Sequence, residues 1–348
     1  MYSKDDLIKW YMSKDLIKVF KQLNHTAHNT LVNASTVSFD QYKMLCQNFF
    51  ELMPFCNITS NEYTITFENS GTDFIKQIFL NEIDNETLII STKHEHNSVV
   101  NELEKYQHTY LLDYTTDILC VEKTISFLSK IIKNYKKVFV YIIGTQISTG
   151  QITPQYFLVK LKELLLKQKI SHKILLDDVH GMFMHPRDYS LFDYILYTAH
   201  AIIPQYNLGL LISKDGKYGK KAFDVGMEYY ELLKELLKNK QDLFLFKSIL
   251  TEYFSEFLQY SCCDLYTNSV NHIFALYLKN IIFEKDVYDE LDSYGIVIPE
   301  KQTNENFIRI RFQEFLLQEP PRAIEGLNLV NALLKRAILM AKLKGEVE

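Results

Sequence analysis

Residues 173–181 read KILLDDVHG, an apolar run that ends in two aspartates and a histidine. A short run that is apolar almost throughout is typical of a strand buried on both faces of a sheet. Asp177 and Asp178 alternate along such a strand, so their side chains point to opposite faces, and His180 follows in the turn. A buried aspartate needs a cationic or hydrogen-bond-donating partner. We therefore interpret this stretch as part of a functional site, with a structural salt bridge as the alternative.

Similar apolar runs recur on both sides of this stretch, and amphipathic segments separate them. Such an alternation of strands and helices predicts the α/β class, with a mostly parallel sheet and helices on both of its faces. The predicted strands are 64–68, 87–92, 109–113, 138–144, 173–179, 194–199 and 209–213, and the predicted helices are 71–81, 98–106, 122–135 and 155–168.

The last third of the chain has a different pattern. Helical periodicity fills residues 220 to 260, and a shorter mixed pattern follows. We expect a small α+β domain here, closed by a helix that Pro320 and Pro321 introduce. Its predicted elements are the strands 272–278 and 307–312 and the helix 322–343. The predicted organisation is an N-terminal segment (1–40), a large domain (41–225) and a small C-terminal domain (226–348).

The composition argues against several classes of protein. Of the 348 residues 47% are hydrophobic, enough for a sizeable core, and a formal net charge of −5 argues against nucleic-acid binding. We expect no membrane helix, because no apolar run approaches the roughly 20 residues that one needs, and the charged N-terminus does not resemble a signal peptide. The five cysteines lack metal-ligand spacing, which favours free thiols in a reducing cytoplasm.

Polar residues follow several of the predicted strands, at the sheet edge where ligands of such folds bind. Ser70, Gly71 and Thr72 open an amphipathic helix, whose free N–H groups and dipole suit a phosphate; a plain capped helix start is the alternative. His94 and His96 follow the second strand two residues apart, so one strand face could present both; a surface histidine pair is the alternative.

Two later turns are also polar. The turn after the fourth strand contains Gln146, Ser148 and Thr149, which could hold a substituent of a ring or satisfy the backbone of the loop. Thr198 and His200 come at the end of the sixth strand.

Taken in chain order, these motifs resemble those of the fold-type I pyridoxal-phosphate enzymes, above all the class V aminotransferase and cysteine desulfurase branch. The resemblance covers roughly residues 60 to 315. SGTDF (70–74) resembles the phosphate-binding helix start of the family, and EHNS (95–98) resembles its ring-stacking element, which implies that His96 stacks on the pyridine ring. LLDDVHG is similar to VDExHG, which implies Asp177 beside the pyridine nitrogen and His180 beside the ring oxygen. Gln146 stands where the family has an asparagine.

The stretch TAHAIIPQYNLGLLIS (198–213) is similar to the family pattern SGHKxxGPxGxGxLxx without a gap. The match implies that Thr198 and His200 hold the cofactor phosphate, and it places Ala201 where the family has the lysine that binds the cofactor covalently. An alanine methyl can neither form that bond nor move the α-proton of a substrate. Ala201 is either a deliberate Lys→Ala substitution or a feature of a natural lysine-less pseudoenzyme or binding protein. We favour the substitution because the other matched residues are retained: His96, Asp177, His180, Thr198 and His200.

The resemblance implies an aminotransferase or lyase that uses pyridoxal phosphate, acts on a small α-amino acid and forms a homodimer. It also implies that Arg309, in FIRIRF (307–312), binds the substrate α-carboxylate. Residues 293–310 contain no cysteine where the desulfurase nucleophile should lie, so sulfur transfer by a cysteine persulfide is disfavoured. A less favoured alternative is a metallohydrolase, which leaves the SGT and TAH motifs without a role. Its ligands would be His94, His96, Asp177, Asp178 and His180.

Overall fold

The computed structural model of the chain leaves most of the predicted N-terminal segment (1–40) outside its described residues. Those residues are 38–53, 57–93, 95–147, 149–181, 185–201, 207–238, 240–265, 269–270, 273–279, 281, 283, 285–294, 296–297, 306–311 and 320–344. They divide into two units. The larger unit comprises 38–146 and Ile152–Leu237, and the smaller unit comprises Ile147–Gln151 and 238–344.

A seven-stranded sheet forms the centre of the larger unit. Its strands are β1 (Thr64–Glu68), β2 (Thr87–Thr92), β3 (Thr109–Leu112), β4 (Lys137–Ile143), β5 (Ser171–Asp177), β6 (Tyr194–Thr198) and β7 (Gly209–Ser213). The strand order is β1-β7-β6-β5-β4-β2-β3. Of these seven strands β7 runs antiparallel to its two neighbours, and the other adjacent pairs are parallel. The carboxyl ends of β4, β5 and β6 therefore meet at one edge of the sheet.

Helices flank this sheet as the alternating pattern predicted. They are α1 (Phe39–Glu51), α2 (Gly71–Glu82), α3 (Asn97–Leu103), α4 (Val121–Ile131), α5 (Gln155–Lys167) and α6 (Phe223–Lys238), with a π-helical turn at Tyr114–Ile118 and short 3-10 turns at Ile132–Asn134, Tyr189–Leu191 and Ala199–Ala201. The apolar stripe of α2 packs on one face of the sheet, where the ring of Phe79 meets the rings of Phe139 and Tyr141 edge-on at centroid distances of 5.5 and 5.8 Å. Burial of this stripe holds the start of α2 at the sheet edge.

The smaller unit contains a four-stranded antiparallel sheet in the order β10-β11-β9-β8. The strands are β8 (Cys263–Leu265), β9 (Ile273–Leu278), β10 (Ile296–Val297) and β11 (Asn306–Arg311), and the helices are α7 (Lys240–Tyr253), α8 (Lys285–Asp292) and α9 (Pro320–Leu343), with a 3-10 turn at Ser255–Phe257. Helix α9 starts at Pro320. Proline is favoured at the first position of a helix, because the backbone N–H that it lacks would have no partner within the helix there.

The predicted α/β class is confirmed, and the predicted strands differ from the observed ones by no more than about two residues. The sequence analysis missed α1, α8, β8 and β10, of which β8 and β10 have only three and two residues. The boundary predicted at residue 225 lies inside α6, whereas the described units divide at Leu237 and Lys238.

Asp178 is the centre of a buried polar network behind β5. The residue is fully buried, and its Oδ2 accepts hydrogen bonds from the hydroxyls of Tyr189 at 2.5 Å and Tyr197 at 3.1 Å. The guanidinium of Arg187 lies 3.8 Å from Oδ1 and also donates to the carbonyl of Gly144 at 3.0 Å. This network joins the end of β5 to the turn that precedes β6, so Asp178 has a structural role.

We predict that Asp178→Ala lowers the free energy of unfolding by about 3–5 kcal/mol, since it leaves the buried Arg187 cation without its carboxylate. Urea unfolding of the cofactor-free protein measures this loss. Asp40→Ala, at an exposed position in the first turn of α1, is the matched control and should change the free energy by no more than about 0.5 kcal/mol. Equal effects of the two substitutions would contradict the structural role.

Candidate functional site

The N-terminus of α2 packs directly against the edge formed by β6 and β7. Ser70 caps the helix, and its Oγ accepts from the backbone N–H of Asp73 at 3.2 Å. A Cβ on Gly209 would lie 2.6 Å from the carbonyl oxygen of Ser70, and a Cβ on Gly71 would lie 2.5 Å from Cγ2 of Thr198. The backbone of the SGT motif can approach this closely only because both positions are glycine. The structure therefore brings Gly71 and Thr198 together, as the predicted phosphate site requires.

The TAH motif forms the end of β6 and the turn after it. Thr198 is the last residue of the strand and is half-buried, and the 3-10 turn Ala199–Ala201 follows. His200 is exposed, whereas Ala201 is 1% exposed. Residues 202–206 of the same motif lie outside the described residues. The position matched to the covalent lysine is thus a buried one, at the same strand end as Thr198.

Asp177 is the last residue of β5, and its carboxylate is held by two donors. The hydroxyl of Tyr141 donates to Oδ2 at 2.6 Å, and the backbone N–H of Val179 donates to Oδ1 at 3.2 Å. Burial raises the pKa of Asp177, and the hydrogen bonds together with the nearby charge of His96 oppose that rise. A cation placed against this carboxylate would stabilise its charged form.

His96 caps helix α3 through its ring. Its Nδ1 accepts from the backbone N–H of Ser98 at 3.2 Å, and the Ser98 hydroxyl lies 2.8 Å from the same nitrogen. Because Nδ1 is an acceptor, the neutral ring carries its proton on Nε2. The side chain is exposed and close enough to Asp177 to influence its pKa. His94 lies outside the described residues.

Two further predicted residues are buried in the turns after β4 and β5. Gln146 is 4% exposed and follows β4, and His180 is 8% exposed and follows β5. Thr149 belongs to the smaller unit, where its hydroxyl accepts from the backbone N–H of Gln151 at 3.2 Å, so it satisfies the loop backbone. Ser148 lies outside the described residues.

Glu95 is a buried carboxyl that the sequence analysis missed. It is 4% exposed, and its Oε1 accepts from the hydroxyl of Thr92 at 2.6 Å, from the backbone N–H of Thr92 at 3.2 Å and from the hydroxyl of Ser91 at 3.3 Å. Its Oε2 is buried and has no hydrogen-bond partner in the described part of the chain. Burial raises the pKa of Glu95 to about 8, and the nearby charge of Asp177 contributes to this rise.

Glu95, Asp177 and Tyr141 together form a buried acidic cluster. Burial raises the pKa of Tyr141 well above its usual value, and the charges of Asp177 and Glu95 raise it further. Two carboxyls in one buried cluster disfavour each other's ionisation. The signal for Glu95 was present in the sequence, since this carboxyl lies in the turn after a strand that is buried on both faces.

Arg309 lies in the smaller unit, on β11, as predicted. It is 8% exposed, and its Nη1 donates to the carbonyl of Ile147 at 3.3 Å. Within the described residues no three His, Cys, Asp or Glu side chains are arranged to hold a metal ion, and one ligand of the alternative metal site, His94, is not among those residues.

We predict that Glu95→Gln removes part of the pH dependence of stability. Folding raises the pKa of Glu95 from 4.5 to about 8, so its contribution to stability is fully present below pH 4.5 and is lost as the pH rises through about 8. Relative to Glu95→Gln, the parent should therefore lose free energy of unfolding over this range, by up to about 1.4 kcal/mol per pH unit. Urea unfolding of both cofactor-free proteins across the range measures the difference. Parallel pH profiles would show that Glu95 is not held as a neutral acid.

Comparison with known proteins links this architecture to solved structures. No family model matches the chain, and no curated protein matches it by sequence. A NifS-like protein from Rickettsia africae is similar over 92% of this chain and 96% of its own, with a TM-score of 0.66 and 14% identity. A multiple substrate aminotransferase from Thermococcus profundus is similar over 93% of this chain and 88% of its own, with a TM-score of 0.63 and 14% identity.

A PLP-bound C–S lyase from Staphylococcus hominis, complexed with the inhibitor L-cycloserine, is similar over 92% of this chain and 89% of its own, with a TM-score of 0.62 and 10% identity. No helix among the described residues has both the length and the apolar character needed to cross a membrane. These likenesses and the mostly parallel seven-stranded sheet show that the chain has the fold of the fold-type I pyridoxal-phosphate-dependent transferases.

Proposed function

We propose that the chain binds pyridoxal phosphate noncovalently in its larger unit and is a pyridoxal-phosphate-dependent enzyme for a small α-amino acid, an aminotransferase or a lyase, in a form without the covalent lysine. The observation that carries this proposal is the buried carboxylate of Asp177 at the carboxyl end of β5. The fold supports it, because solved structures similar to the chain include aminotransferases and a C–S lyase.

The acidic cluster suits a protonated pyridine nitrogen. Asp177 is oriented by Tyr141 and by the backbone of Val179, and an N–H cation against it would offset the cost of its burial. Burial and the charge of Asp177 raise the pKa of Glu95 to about 8, which favours the neutral form of Glu95 near pH 7. When bound, the cofactor supplies an electron sink for negative charge that develops at Cα of an amino acid.

The start of α2 suits the cofactor phosphate. The N–H groups of Gly71 and Thr72 are at the positive end of the helix dipole, and Gly71 packs on Thr198. We assign Ser70, Gly71, Thr72, Thr198 and His200 to this phosphate. We assign His96 to stacking on the ring, because it is exposed beside Asp177, and Gln146 and His180 to the ring oxygen.

Ala201 determines how the cofactor is held. Without an amine at this position, affinity depends on the phosphate and ring contacts, and no lysine at 201 moves the α-proton of the substrate. We propose that the chain is a Lys→Ala form of an active enzyme; a natural lysine-less binding protein is the alternative. The expected homodimer and cytoplasmic location stay predictions.

We predict that the parent protein retains pyridoxal phosphate in equilibrium dialysis but releases all of it on denaturation, whereas Ala201→Lys retains part of it covalently after borohydride reduction. The reason is that lysine supplies the missing amine. The visible absorbance spectrum with a panel of amino acids then shows whether Ala201→Lys reacts. Absence of retention by both proteins would contradict cofactor binding, and retention without any reaction would favour the natural binding protein.

In the Ala201→Lys background, we predict that Asp177→Asn lowers kcat by about 10²–10³-fold, because the ring loses the charge that keeps its nitrogen protonated. The matched control is Asp178→Asn, which changes the neighbouring carboxylate of the structural network. Its effect should appear in the free energy of unfolding instead of in kcat. Equal losses of kcat from the two substitutions would contradict the assignment of Asp177.

A further inference from the structure

The side chain of Glu95 ties the chain after β2 to the end of that strand. Its carboxyl group is buried, and its Oε1 accepts from the hydroxyl of Thr92 at 2.6 Å, from the backbone N–H of Thr92 at 3.2 Å and from the hydroxyl of Ser91 at 3.3 Å. The three donors belong to the last two residues of β2, a strand that is buried along its whole length. Glu95 is therefore anchored to a rigid part of the sheet.

The next residue, His96, has an exposed ring but a backbone that is held on its other side. Its carbonyl accepts from the backbone N–H groups of Val99 at 2.8 Å and Val100 at 3.1 Å, and its Nδ1 accepts from the N–H of Ser98 at 3.2 Å. Val99 is fully buried in the apolar core that α2 also joins. Helix α3 thus holds His96 from the C-terminal side, and Glu95 is the anchor on the N-terminal side.

Both residues lie at the edge of the sheet that carries Asp177. Strand β2 is parallel to β4, and β4 is parallel to β5, so the carboxyl ends of the three strands lie at the same edge. Burial raises the pKa of Asp177, and the charge of His96 opposes this rise. An opposing charge has such an effect only at short range. The place of the His96 ring beside Asp177 therefore depends on the turn that Glu95 anchors.

The hydrogen bonds of Glu95 do not require a negative charge. Burial raises its pKa to about 8, and its Oε2 has no hydrogen-bond partner in the described part of the chain. All of its hydrogen bonds go to Oε1, and a glutamine offers the same acceptor to the same three donors. Glu95→Gln therefore keeps the anchor and Glu95→Ala removes it, which separates an anchoring role from a role of charge.

We propose that Glu95 is a positioning residue, whose hydrogen bonds to Ser91 and Thr92 orient His96 so that its imidazole can stack on the cofactor ring beside Asp177. The inference rests on the proposed function for the assignment of His96 to that ring. It adds that the orientation of the stacking residue is set by a buried carboxyl that acts through His96.

NMR spectra of the cofactor-free protein, isotopically labelled in its histidines, test the orientation directly, and His96→Ala identifies the signal of His96. In the parent the neutral ring should carry its proton on Nε2, because Nδ1 accepts from Ser98. Glu95→Ala should give a mixture of both tautomers, since His96 is then held on one side only, whereas Glu95→Gln should keep the parent's tautomer. An unchanged tautomer in Glu95→Ala, or a mixture in Glu95→Gln, would overturn the proposal.

Equilibrium dialysis with pyridoxal phosphate tests whether Glu95 acts through His96. Glu95→Ala should weaken binding by about tenfold in the parent, the factor that one well-placed ring contact is worth, but by about twofold or less when residue 96 is already alanine. Equal factors in the two backgrounds would show that Glu95 acts independently of His96 and would overturn the proposal.

Glu102→Ala is the matched control. Glu102 is also a buried carboxyl close to His96 in sequence, but it lies on α3 and pairs with Lys105 at 2.7 Å. It should keep both the tautomer of His96 and the parent's affinity for pyridoxal phosphate. Loss of both in Glu102→Ala would mean that any buried acid of this segment has the same effect, and would overturn the specific role of Glu95.

Should Glu95→Ala fail to fold, Thr92→Val decides in its place. It removes the 2.6 Å hydrogen bond to Glu95 and nearly preserves the shape of the side chain. It should shift His96 towards the mixture of tautomers and weaken pyridoxal phosphate by about threefold, the factor that one such hydrogen bond is worth. No change in either measurement would overturn the proposal.

Failure of this inference is separable from failure of the proposed function. If the parent retains pyridoxal phosphate but neither measurement responds to Glu95→Ala, the role of Glu95 is overturned and cofactor binding stands. If the parent does not retain pyridoxal phosphate but the tautomer of His96 responds to Glu95→Ala, the result supports the orientation of His96 by Glu95 and overturns its link to the cofactor.

Discussion

The cost of burying charge at the end of β5 is the constraint on which the site depends. Asp177 and Asp178 are adjacent and both are buried, yet the fold compensates for them differently. Asp178 has a guanidinium nearby and two tyrosine hydroxyls as donors, all from residues close in sequence. Asp177 has one hydroxyl and one backbone N–H as donors. A second buried carboxyl, Glu95, lies near enough for the charge of Asp177 to raise its pKa. The first arrangement is internally neutralised, whereas the second favours a cation from outside the chain.

The packing of α2 places a helix N-terminus, which favours negative charge, in the same unit as this acidic cluster. Glycine at 71 and at 209 allows the helix start to lie against the strand end that carries Thr198. A helix N-terminus attracts negative charge, and the acidic cluster attracts positive charge. Pyridoxal phosphate carries both, as a phosphate and a protonated ring. With alanine at 201, these two noncovalent contacts would supply the affinity.

The smaller unit also buries charged side chains. Its buried arginines lie on one face of β11, under the loop Ile147–Gln151, which follows β4 in the chain although it is part of this unit.

The sequence alone determined the α/β class and most of the element boundaries, because strands buried on both faces read as apolar runs and β-strand alternation follows directly from residue order. It also determined that Asp177 and Asp178 point to opposite faces and that Arg309 and Arg311 share one. The tertiary structure decided which neighbours these side chains meet. The partnership of Tyr141 with Asp177 depends on the register of β4 on β5, and the guanidinium of Arg309 meets the carbonyl of Ile147, more than 100 residues earlier in the chain. Glu95 acquired its raised pKa in the same way, since a carboxyl has a shifted pKa only where folding removes its water and places another charge beside it.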